Sequence, residues 1–396
     1  MITHIAFLSL FIFFYLLVSA RMEKTMLSGS LLFVLVGWLV GPYGLQWLSF
    51  PVKGEGLSLL AELTLAVVLF GDAARARLRI LQKSWRYPER LLLLGLPMTV
   101  ILGWGIAMLL FPGFSMIDAA ILATILAPTD AALGKAVMTR KEVPAPIAES
   151  LNVESGLNDG ICVPVMVVLL SLSMDLGSVT MGSIVITLLE KVGIGILVGV
   201  VIALIGEKWV KFCVQKEWSD PQASSLAMLS LAFACYSVAE SLEGSGFIAA
   251  FMGGLIFGAL CKHEKFHGFL SSEANGDGLS QITWVIFGGT VVGQCASFIS
   301  WQVGLYALLS LTLIRMLPVW ISLLGTDLNG TDKLFMGWFG PRGLASVVFV
   351  VMVFHHQLDH AGGIATVAMT TIMLSVLLHG LTANPLVKRC FGSALK

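Results

Sequence analysis

Long apolar runs separated by short polar stretches fill this chain from end to end. A membrane-spanning helix needs about 20 predominantly apolar residues, and thirteen segments approach that length. The polar stretches between them are too short to form a separate soluble unit. The pattern therefore predicts an all-α polytopic membrane protein with about 13 transmembrane helices. The predicted spans are 3–20, 25–41, 56–74, 89–111, 115–138, 146–173, 180–206, 222–241, 244–261, 278–298, 301–323, 332–356 and 363–382.

The composition agrees with a membrane protein. Of the 396 residues, 57% are hydrophobic and only 12% are charged, whereas a soluble domain carries about 25% charged residues. The formal net charge is zero, which gives no electrostatic basis for a nucleic-acid partner. The six cysteines lack the Cys-x-x-Cys spacing of a zinc site. We therefore expect no disulfide framework, no zinc site and no cofactor.

Lys and Arg collect in alternate connections between the predicted spans. Cytoplasmic loops carry an excess of Lys and Arg, so this alternation predicts an N-terminus outside and a cytoplasmic C-terminus in the cell (inner) membrane. The first apolar run, Ile5–Val18, has no Lys or Arg before it. We read it as a retained first helix rather than a cleaved signal peptide. The basic connections contain Arg75, Arg77, Arg79, Lys83, Arg86, Arg90, Arg140, Lys141, Lys208, Lys211, Lys216, Lys262 and Lys265, and the C-terminus carries Lys388, Arg389 and Lys396.

Helix-breaking residues interrupt two spans near their middles. The fifth span contains Ala127-Pro128-Thr129-Asp130, and the twelfth contains Gly337–Gly343 with Pro341 inside it. Broken helices at membrane depth are tolerated only where the backbone is buried or lines a wet cavity. The two breaks lie seven spans apart, and an odd offset places the two halves of the chain inverted in the membrane. Such a pair indicates a transporter binding site.

Two acids, Asp130 and Asp159, lie inside predicted spans. An ionised Asp at mid-bilayer costs about 2.5–3.5 kcal/mol on insertion scales, so a chain that keeps one usually uses it to carry ions or protons. On a helix, Ser155 and Asp159 are four residues apart and share a face. Their oxygens, with backbone carbonyls freed by a broken helix, are the ligands that a hard cation prefers. Thr129 or Asp130 is also a predicted cap for the helix that starts at Ala131, which is compatible with a cation site.

Two arginines, Arg315 and Arg342, also lie in apolar surroundings. An unpaired intramembrane Arg is costly, so each needs a carboxylate or carbonyl partner. The candidate acids include Asp72, Asp118 and Glu154. We predict a Glu154–Arg342 ion pair, because it would join the acidic helix to the second broken helix. Snorkelling of the guanidinium to an interface is the alternative, and it is stronger for Arg315.

Two further groups have simpler interpretations. His355, His356 and His360 fall in a predicted outside loop, where metal binding or pH sensing competes with a solvated loop, which we favour. The stretch Asn275-Gly-Asp277-Gly lies near a cytoplasmic interface and is predicted to be a turn.

Taken together, these motifs resemble the NhaP-type sodium/proton antiporters of the monovalent cation:proton antiporter-1 family, over essentially the whole chain. The family's usual Thr-Asp-Pro is Thr129-Asp130-Ala131 here, with a proline displaced to position 128. That difference leaves the acid in place but alters the geometry expected for the break. The matching segments are Ala127–Asp130, Glu149–Gly160, Ser245–Phe251, Arg315 and Gly340–Gly343.

The resemblance implies a secondary transporter, not an enzyme, that exchanges Na+ or Li+ for H+ by alternating access. It implies inverted repeats with two crossed, unwound helices in a single transmembrane antiporter domain, 1–396. This domain would consist of a dimerisation part and a six-helix core containing about 89–173 and 301–382. The protein would be a homodimer in the lipid bilayer. Asn158 replaces the second acid of electrogenic relatives, which implies electroneutral 1:1 exchange. The implied site contains Asp159, Asp130, Ser155, Thr129 and Asn158, with Na+ held by the first four, and Glu154, Arg342 and Arg315 support it.

Three other functions compete with this prediction. A K+/H+ antiporter of the same fold is the strongest alternative, because ligand types do not fix ion size. A cation channel could use the same acids, but the two broken helices and the arginines favour alternating access. An intramembrane aspartyl protease would want Gly-x-Gly-Asp, and this chain has Gly156-Leu-Asn-Asp159.

Overall fold

The architecture comes from a computed structural model, which describes residues 2–22, 29–47, 55–75, 86–138, 140, 142–174, 181–218, 223–261, 274–295, 299–356 and 358–392. The regular structure of these residues is helical, without a strand. The helices are α1 (Ile2–Met22), α2 (Gly29–Val40), α3 (Glu55–Arg75), α4 (Arg86–Leu110), α5 (Met116–Ile125), α6 (Ala131–Met138), α7 (Ala145–Met174), α8 (Met181–Gln215), α9 (Ala223–Ser241), α10 (Gly246–Leu260), α11 (Ala274–Phe287), α12 (Trp301–Ser322), α13 (Gly330–Trp338), α14 (Leu344–His355) and α15 (Ala361–Phe391).

These helices match the predicted spans one for one, once the split helices are joined. The fifth span is the pair α5 and α6, and the twelfth is the pair α13 and α14. By length and composition, five helices within the described residues can cross a membrane: Arg86–Leu110, Ala145–Ser173, Leu189–Gln215, Trp301–Ser322 and Ala361–Phe391. Shorter apolar helices of 10–17 residues are Ser9–Ser19, Gly29–Val40, Met116–Ile125, Leu226–Ser241, Gly246–Leu260 and Leu344–His355.

Local irregularities interrupt three of the longer helices. α4 contains a π-helical turn at Leu91–Gly95, and α11 continues into another at Gly288–Val292. α12 is interrupted at Thr312, whose backbone leaves the helical region with φ −109° and ψ −92°. The stretch from Asn275 to Gly278 lies within α11, so the predicted turn there is wrong. The basic connections 76–85 and 262–273 lie outside the described residues.

Glycines let α10 contact its two neighbours through the backbone. A Cβ atom added to Gly254 or Gly258 would overlap carbonyl oxygens of α3, and one added to Gly199 of α8 would overlap a carbonyl oxygen of α10. Small residues at helix contacts are what allow this approach in membranes, where apolar burial alone does not drive helices together. The packing makes α3, α8 and α10 one tight group. α7 contacts this group on one side and α5 and α6 on the other.

Candidate cation site

The first helix break frees backbone carbonyls that side chains from the second broken helix satisfy. α5 ends at Ile125, whose carbonyl accepts the Ser346 hydroxyl at 2.6 Å. The Arg342 guanidinium Nη1 donates to the carbonyls of Ala127 at 2.7 Å and Pro128 at 3.2 Å. A buried carbonyl without a donor would cost about 1–3 kcal/mol. The break is therefore stable because α14 and the segment before it supply the missing donors.

Asp130 joins the two breaks directly. Its backbone N–H donates to the Pro341 carbonyl at 2.8 Å. Its carboxylate accepts the Leu133 N–H at 3.0 Å through Oδ1 and the Leu344 N–H at 2.9 Å through Oδ2. One carboxylate therefore caps the N-termini of both α6 and α14, where the helix dipoles favour negative charge. The predicted crossing of two unwound helices is confirmed, and Asp130 lies at the crossing point.

The contact between Asp130 and the second break requires a glycine. A Cβ atom added to Gly343 would overlap the Asp130 carboxylate. The φ of Gly343 is −139°, with ψ −143°, so the residue does not occupy the left-handed region. The requirement is thus one of space for the carboxylate. This explains in physical terms why Gly follows Arg342 in the sequence.

Hydroxyl and amide groups tie the first break to α7. Thr129 Oγ1 and Ser155 Oγ are 2.9 Å apart and share a hydrogen bond. The side-chain amide of Asn158 donates to Thr129 Oγ1 at 2.7 Å. All three residues are buried. The structure thereby brings Thr129, Ser155 and Asn158, which the sequence predicted as site residues, into one hydrogen-bonded cluster beside Asp130.

Asp159 adds a buried carboxylate to this cluster. It is 7% exposed, and its Oδ1 has no hydrogen-bond partner among the described residues. The same is true of Asn158 Oδ1. Two further carboxylates, those of Asp130 and Asp72, lie near enough to Asp159 to repel its negative charge. Buried acceptors left without donors are unusual in proteins and call for an explanation such as a bound ion or a proton.

Asp72 of α3 is the site residue that the sequence analysis did not select. It lies against α7, where a Cβ atom added to Gly156 would stand 3.7 Å from Asp72 Cβ. It also bonds the Arg75 guanidinium at 2.7 Å. The sequence placed Asp72 only among acids available to an arginine. Gly156 was the available signal, because a glycine on the helix face next to Asp159 admits a neighbouring helix.

The predicted Glu154–Arg342 ion pair is wrong. Glu154 instead binds Arg315 through two hydrogen bonds, Nη1 to Oε1 at 2.5 Å and Nη2 to Oε2 at 2.9 Å. Both side chains are 2% exposed. The bidentate geometry is the strong form of an Arg–carboxylate pair. Arg315 is therefore buried and paired, and the snorkelling alternative is wrong for it as well.

Arg342 obtains its partners from backbone carbonyls instead of an acid. Besides the two carbonyls at the first break, its Nη2 donates to the Ser310 carbonyl at 3.3 Å. The residue is completely buried. It therefore connects the second break to the first break and to α12. This role is positional, since none of these contacts reaches Asp159.

The three histidines do not form a metal site in the described structure. His360 Nδ1 lies 2.9 Å from Asp118 Oδ2, at the N-terminus of α5, and His356 Nδ1 lies 2.9 Å from the Met352 carbonyl. No cluster of three His, Cys, Asp or Glu side chains suited to a metal ion occurs within the described ranges. The His360 ring is thus engaged with a helix terminus and is not merely solvated, unlike the expectation for this loop.

Two half-helix pairs that cross at buried acids are the architecture of ion-coupled secondary transporters. The chain belongs to the sodium/hydrogen exchanger family, whose transmembrane family model matches residues 8–389. The predicted fold and family are therefore confirmed. In structure, the chain is similar to the sodium proton antiporter MjNhaP1 from Methanocaldococcus jannaschii, solved at pH 8. The TM-score is 0.80, with 23% sequence identity and 99% of each chain covered.

Curated relatives carry both sodium and potassium in their names. The chain is 24% identical over 360 residues to the K(+)/H(+) antiporter NhaP2 of Shewanella oneidensis, covering 88% of this chain and 60% of that protein. It is 25% identical over 367 residues to the Na(+)/H(+) antiporter 2 of Zygosaccharomyces rouxii, covering 85% of this chain and 44% of that protein. The chain thus spans about half of the length of these relatives.

Proposed function

We propose that this protein exchanges Na+ or Li+ for H+ across the membrane, one for one, by alternating access. The observation that carries the proposal is a pair of oxygens, Asp159 Oδ1 and Asn158 Oδ1, which are buried beside the Asp130 crossing point and have no hydrogen-bond partner in the described part of the chain. A buried carboxylate without donors needs a positive partner. A cation or a proton supplies it, and both supply the same single charge.

The ligands of the cation come from two chain segments. Asp159 and Ser155 contribute side-chain oxygens from α7, and Asp130 and the main-chain carbonyl of Thr129 contribute oxygens from the first break. Hard cations take such oxygen ligands. Asn158 supports this set, since its amide holds the Thr129 hydroxyl at 2.7 Å.

Competition at Asp159 couples the two fluxes. The carboxylate holds either a cation or a proton, because binding one removes the charge that attracts the other. A core with an ionised, empty site is too costly to move through the apolar interior. Only the loaded forms cross, and this restriction produces obligatory exchange. At acidic cytoplasmic pH, protons displace the cation.

Asn158 sets the stoichiometry in this proposal. Its amide is neutral, and the Asp130 carboxylate is already engaged by the two backbone N–H groups whose hydrogen bonds it accepts. Asp159 is then the one acid that changes its proton occupancy during the cycle. One proton is exchanged for one monovalent cation, and no net charge moves.

The test is a proton-release assay in proteoliposomes with Na+, Li+ and K+ added in turn. We expect the pH inside the vesicles to change when Na+ or Li+ is added, with a rate that saturates at high cation concentration. An imposed pH gradient should reverse the direction of the exchange. Asp159→Asn should abolish this exchange, and robust pH-coupled Na+ flux in that variant would refute the mechanism. Asn158→Asp should make the exchange sensitive to membrane potential. A wild-type protein that already generates a potential would refute the electroneutral reading.

K+/H+ exchange is the second candidate, and the names of the NhaP2 relatives favour it. The site geometry has no feature that sets the ion radius, so the K+ arm of the same assay decides. A channel would give flux that neither saturates nor follows the pH gradient.

The proposal extends to the assembly and its placement. We propose a homodimer in the cell (inner) membrane with the N-terminus outside and the C-terminus cytoplasmic, requiring no cofactor. Exposed apolar side chains along α1, among them Leu10, Phe13 and Phe14, support lipid or subunit contact on that face. The moving core comprises about 89–173 and 301–382. Labelling of single cysteines near each terminus from one side of sealed vesicles tests the orientation, and cross-linking in the bilayer tests the dimer.

A further inference from the structure

We propose that His379 is a positioning residue for ion exchange: together with Ser375 it fixes the geometry of the second helix break, residues 339–343, and through it the cation site. The proposal rests on the antiport function proposed above. His379 and Ser375 lie on α15, outside the set of residues that surrounds Asp159. Neither one touches the proposed cation ligands.

The two side chains bind opposite sides of the break. His379 Nε2 lies 2.7 Å from the carbonyl of Trp338, the last residue of α13. Ser375 Oγ accepts the backbone N–H of Arg342 at 2.8 Å. A break leaves carbonyls without donors on one side and N–H groups without acceptors on the other. α15 supplies one donor and one acceptor, four residues apart on one helix face. The Trp338 carbonyl, which has two lone pairs, also accepts the Gly340 N–H at 2.8 Å.

The chemistry of the ring makes His379 the donor of this pair. A carbonyl oxygen only accepts, and in the Nε2–H tautomer the ring donates to the Trp338 carbonyl at 2.7 Å. In that tautomer Nδ1 accepts the Ser375 hydroxyl at 3.2 Å, and this hydrogen bond orients the ring toward Ser375. The Trp338 indole stacks on the imidazole, with ring centroids 5.3 Å apart and an angle of 29°. His379 is only 5% exposed, so water does not replace these partners.

Two adjacent residues of the second break, Pro341 and Arg342, connect it to the cation site by hydrogen bonds. The Pro341 carbonyl accepts the Asp130 N–H, and the Arg342 side chain donates to the carbonyls of Ala127 and Pro128. A shift of Trp338 or Arg342 therefore displaces the segment that presents Thr129 and Asp130. Misplacement of ligands weakens cation binding more than it slows movement of the loaded core.

The variants His379→Ala and His379→Gln separate positioning from simple packing. We expect His379→Ala to raise the KM for Na+ about tenfold, the effect of one lost buried hydrogen bond, with kcat changed by less than about twofold. The amide N–H of Gln can reach the Trp338 carbonyl, so His379→Gln should recover most of the loss. Thr382→Val is the matched control. It removes the hydrogen bond to the Trp338 indole at 2.9 Å but none of the hydrogen bonds to the backbone of the break.

Two results would overturn the proposal: an unchanged KM in His379→Ala despite a lower melting temperature, or an equal rise of KM in Thr382→Val. If His379→Ala does not fold, Ser375→Ala takes its place, because it leaves the Arg342 N–H without its acceptor. Hydrogen–deuterium exchange of residues 339–343 gives a readout that does not depend on transport. Faster exchange there in His379→Ala but not in Thr382→Val supports the positioning role even if no Na+, Li+ or K+ exchange is found. In that case only the proposed function fails.

Discussion

Separating Glu154 from Arg315 should destabilise this protein more than most single substitutions. The pair is bidentate, with N–O distances of 2.5 and 2.9 Å, and each side chain is 2% exposed. Glu154→Leu leaves an uncompensated guanidinium in an apolar interior, and Arg315→Met leaves an uncompensated carboxylate. Both variants remove the same interaction from opposite sides.

The expected magnitude follows from the two hydrogen bonds and the burial. Hydrogen bonds to charged groups contribute about 1.5–3 kcal/mol each, and breaking a buried ion pair costs about 3–5 kcal/mol. At about 2 °C per kcal/mol, a value for large domains, each single variant should unfold about 6–10 °C below the wild type. The double variant Glu154→Leu/Arg315→Met should recover most of this loss, since apolar residues can replace a buried pair at little cost.

Thermal unfolding in detergent or nanodiscs, followed by tryptophan fluorescence, measures these differences. The control is the double variant Glu154→Leu/Arg342→Met, which combines Glu154 with the arginine that it does not contact. We expect coupling above about 2 kcal/mol for the Glu154–Arg315 cycle and well below that for the control cycle. Equal coupling in both cycles, or a Glu154→Leu variant that unfolds at the wild-type temperature, would refute the reasoning.

Two other perturbations have defined outcomes. Gly343→Ala places a Cβ atom onto the Asp130 carboxylate. It should raise the KM for Na+ about tenfold or more, the effect of about 1–3 kcal/mol of overpacking. The control Gly362→Ala, whose added Cβ would lie in open space, should leave the KM unchanged. The Tyr87 hydroxyl donates to Asp327 at 2.6 Å and holds the pKa of that carboxyl below its ordinary value of 3.8. A lowered pKa stabilises the fold only while the carboxyl is ionised. Tyr87→Phe should therefore lower the melting temperature at neutral pH, and the difference between variant and wild type should vanish as the pH falls below 3.8. A difference in melting temperature that stays constant with pH would contradict this.

The sequence predicted the spans and both breaks because hydropathy and proline carry those signals locally. It placed some helix ends too early, since hydropathy marks where the apolar segment ends and not where the helix ends. α15 continues to Phe391 instead of 382, with Lys388 and Arg389 in its last turn, where basic side chains favour the helix terminus. The interruption of α12 at Thr312 was missed, because neither a Pro nor a Gly marks it.

The partners inside the site were harder to predict. Arg315 and Arg342 have similar apolar surroundings in the sequence, and which one reaches Glu154 depends on depth and helix rotation. In the structure Arg315 forms the ion pair with Glu154, and Arg342 donates to the carbonyls of the first break. The capping role of Asp130 toward α6 was predicted from its position. Its second bond, to the N–H of Leu344, depends on the crossing of two distant segments and has no local signal.

The glycine contacts of α10 have a consequence for how conformational change could be observed. α3 touches α10 backbone to backbone at Gly254 and Gly258, so α3 cannot shift along α10 without a clash. Between α3 and α7 the contact is looser: a Cβ atom added to Gly156 would stand 3.7 Å from Asp72 Cβ, an ordinary van der Waals distance. Displacement of the proposed core relative to α3 would therefore meet less resistance at this contact than α3 meets along α10, and it would move Asp159 relative to Asp72. The separation of these two acids would then report the transport state directly, and probes placed near them on α3 and α7 would distinguish inward-facing from outward-facing molecules.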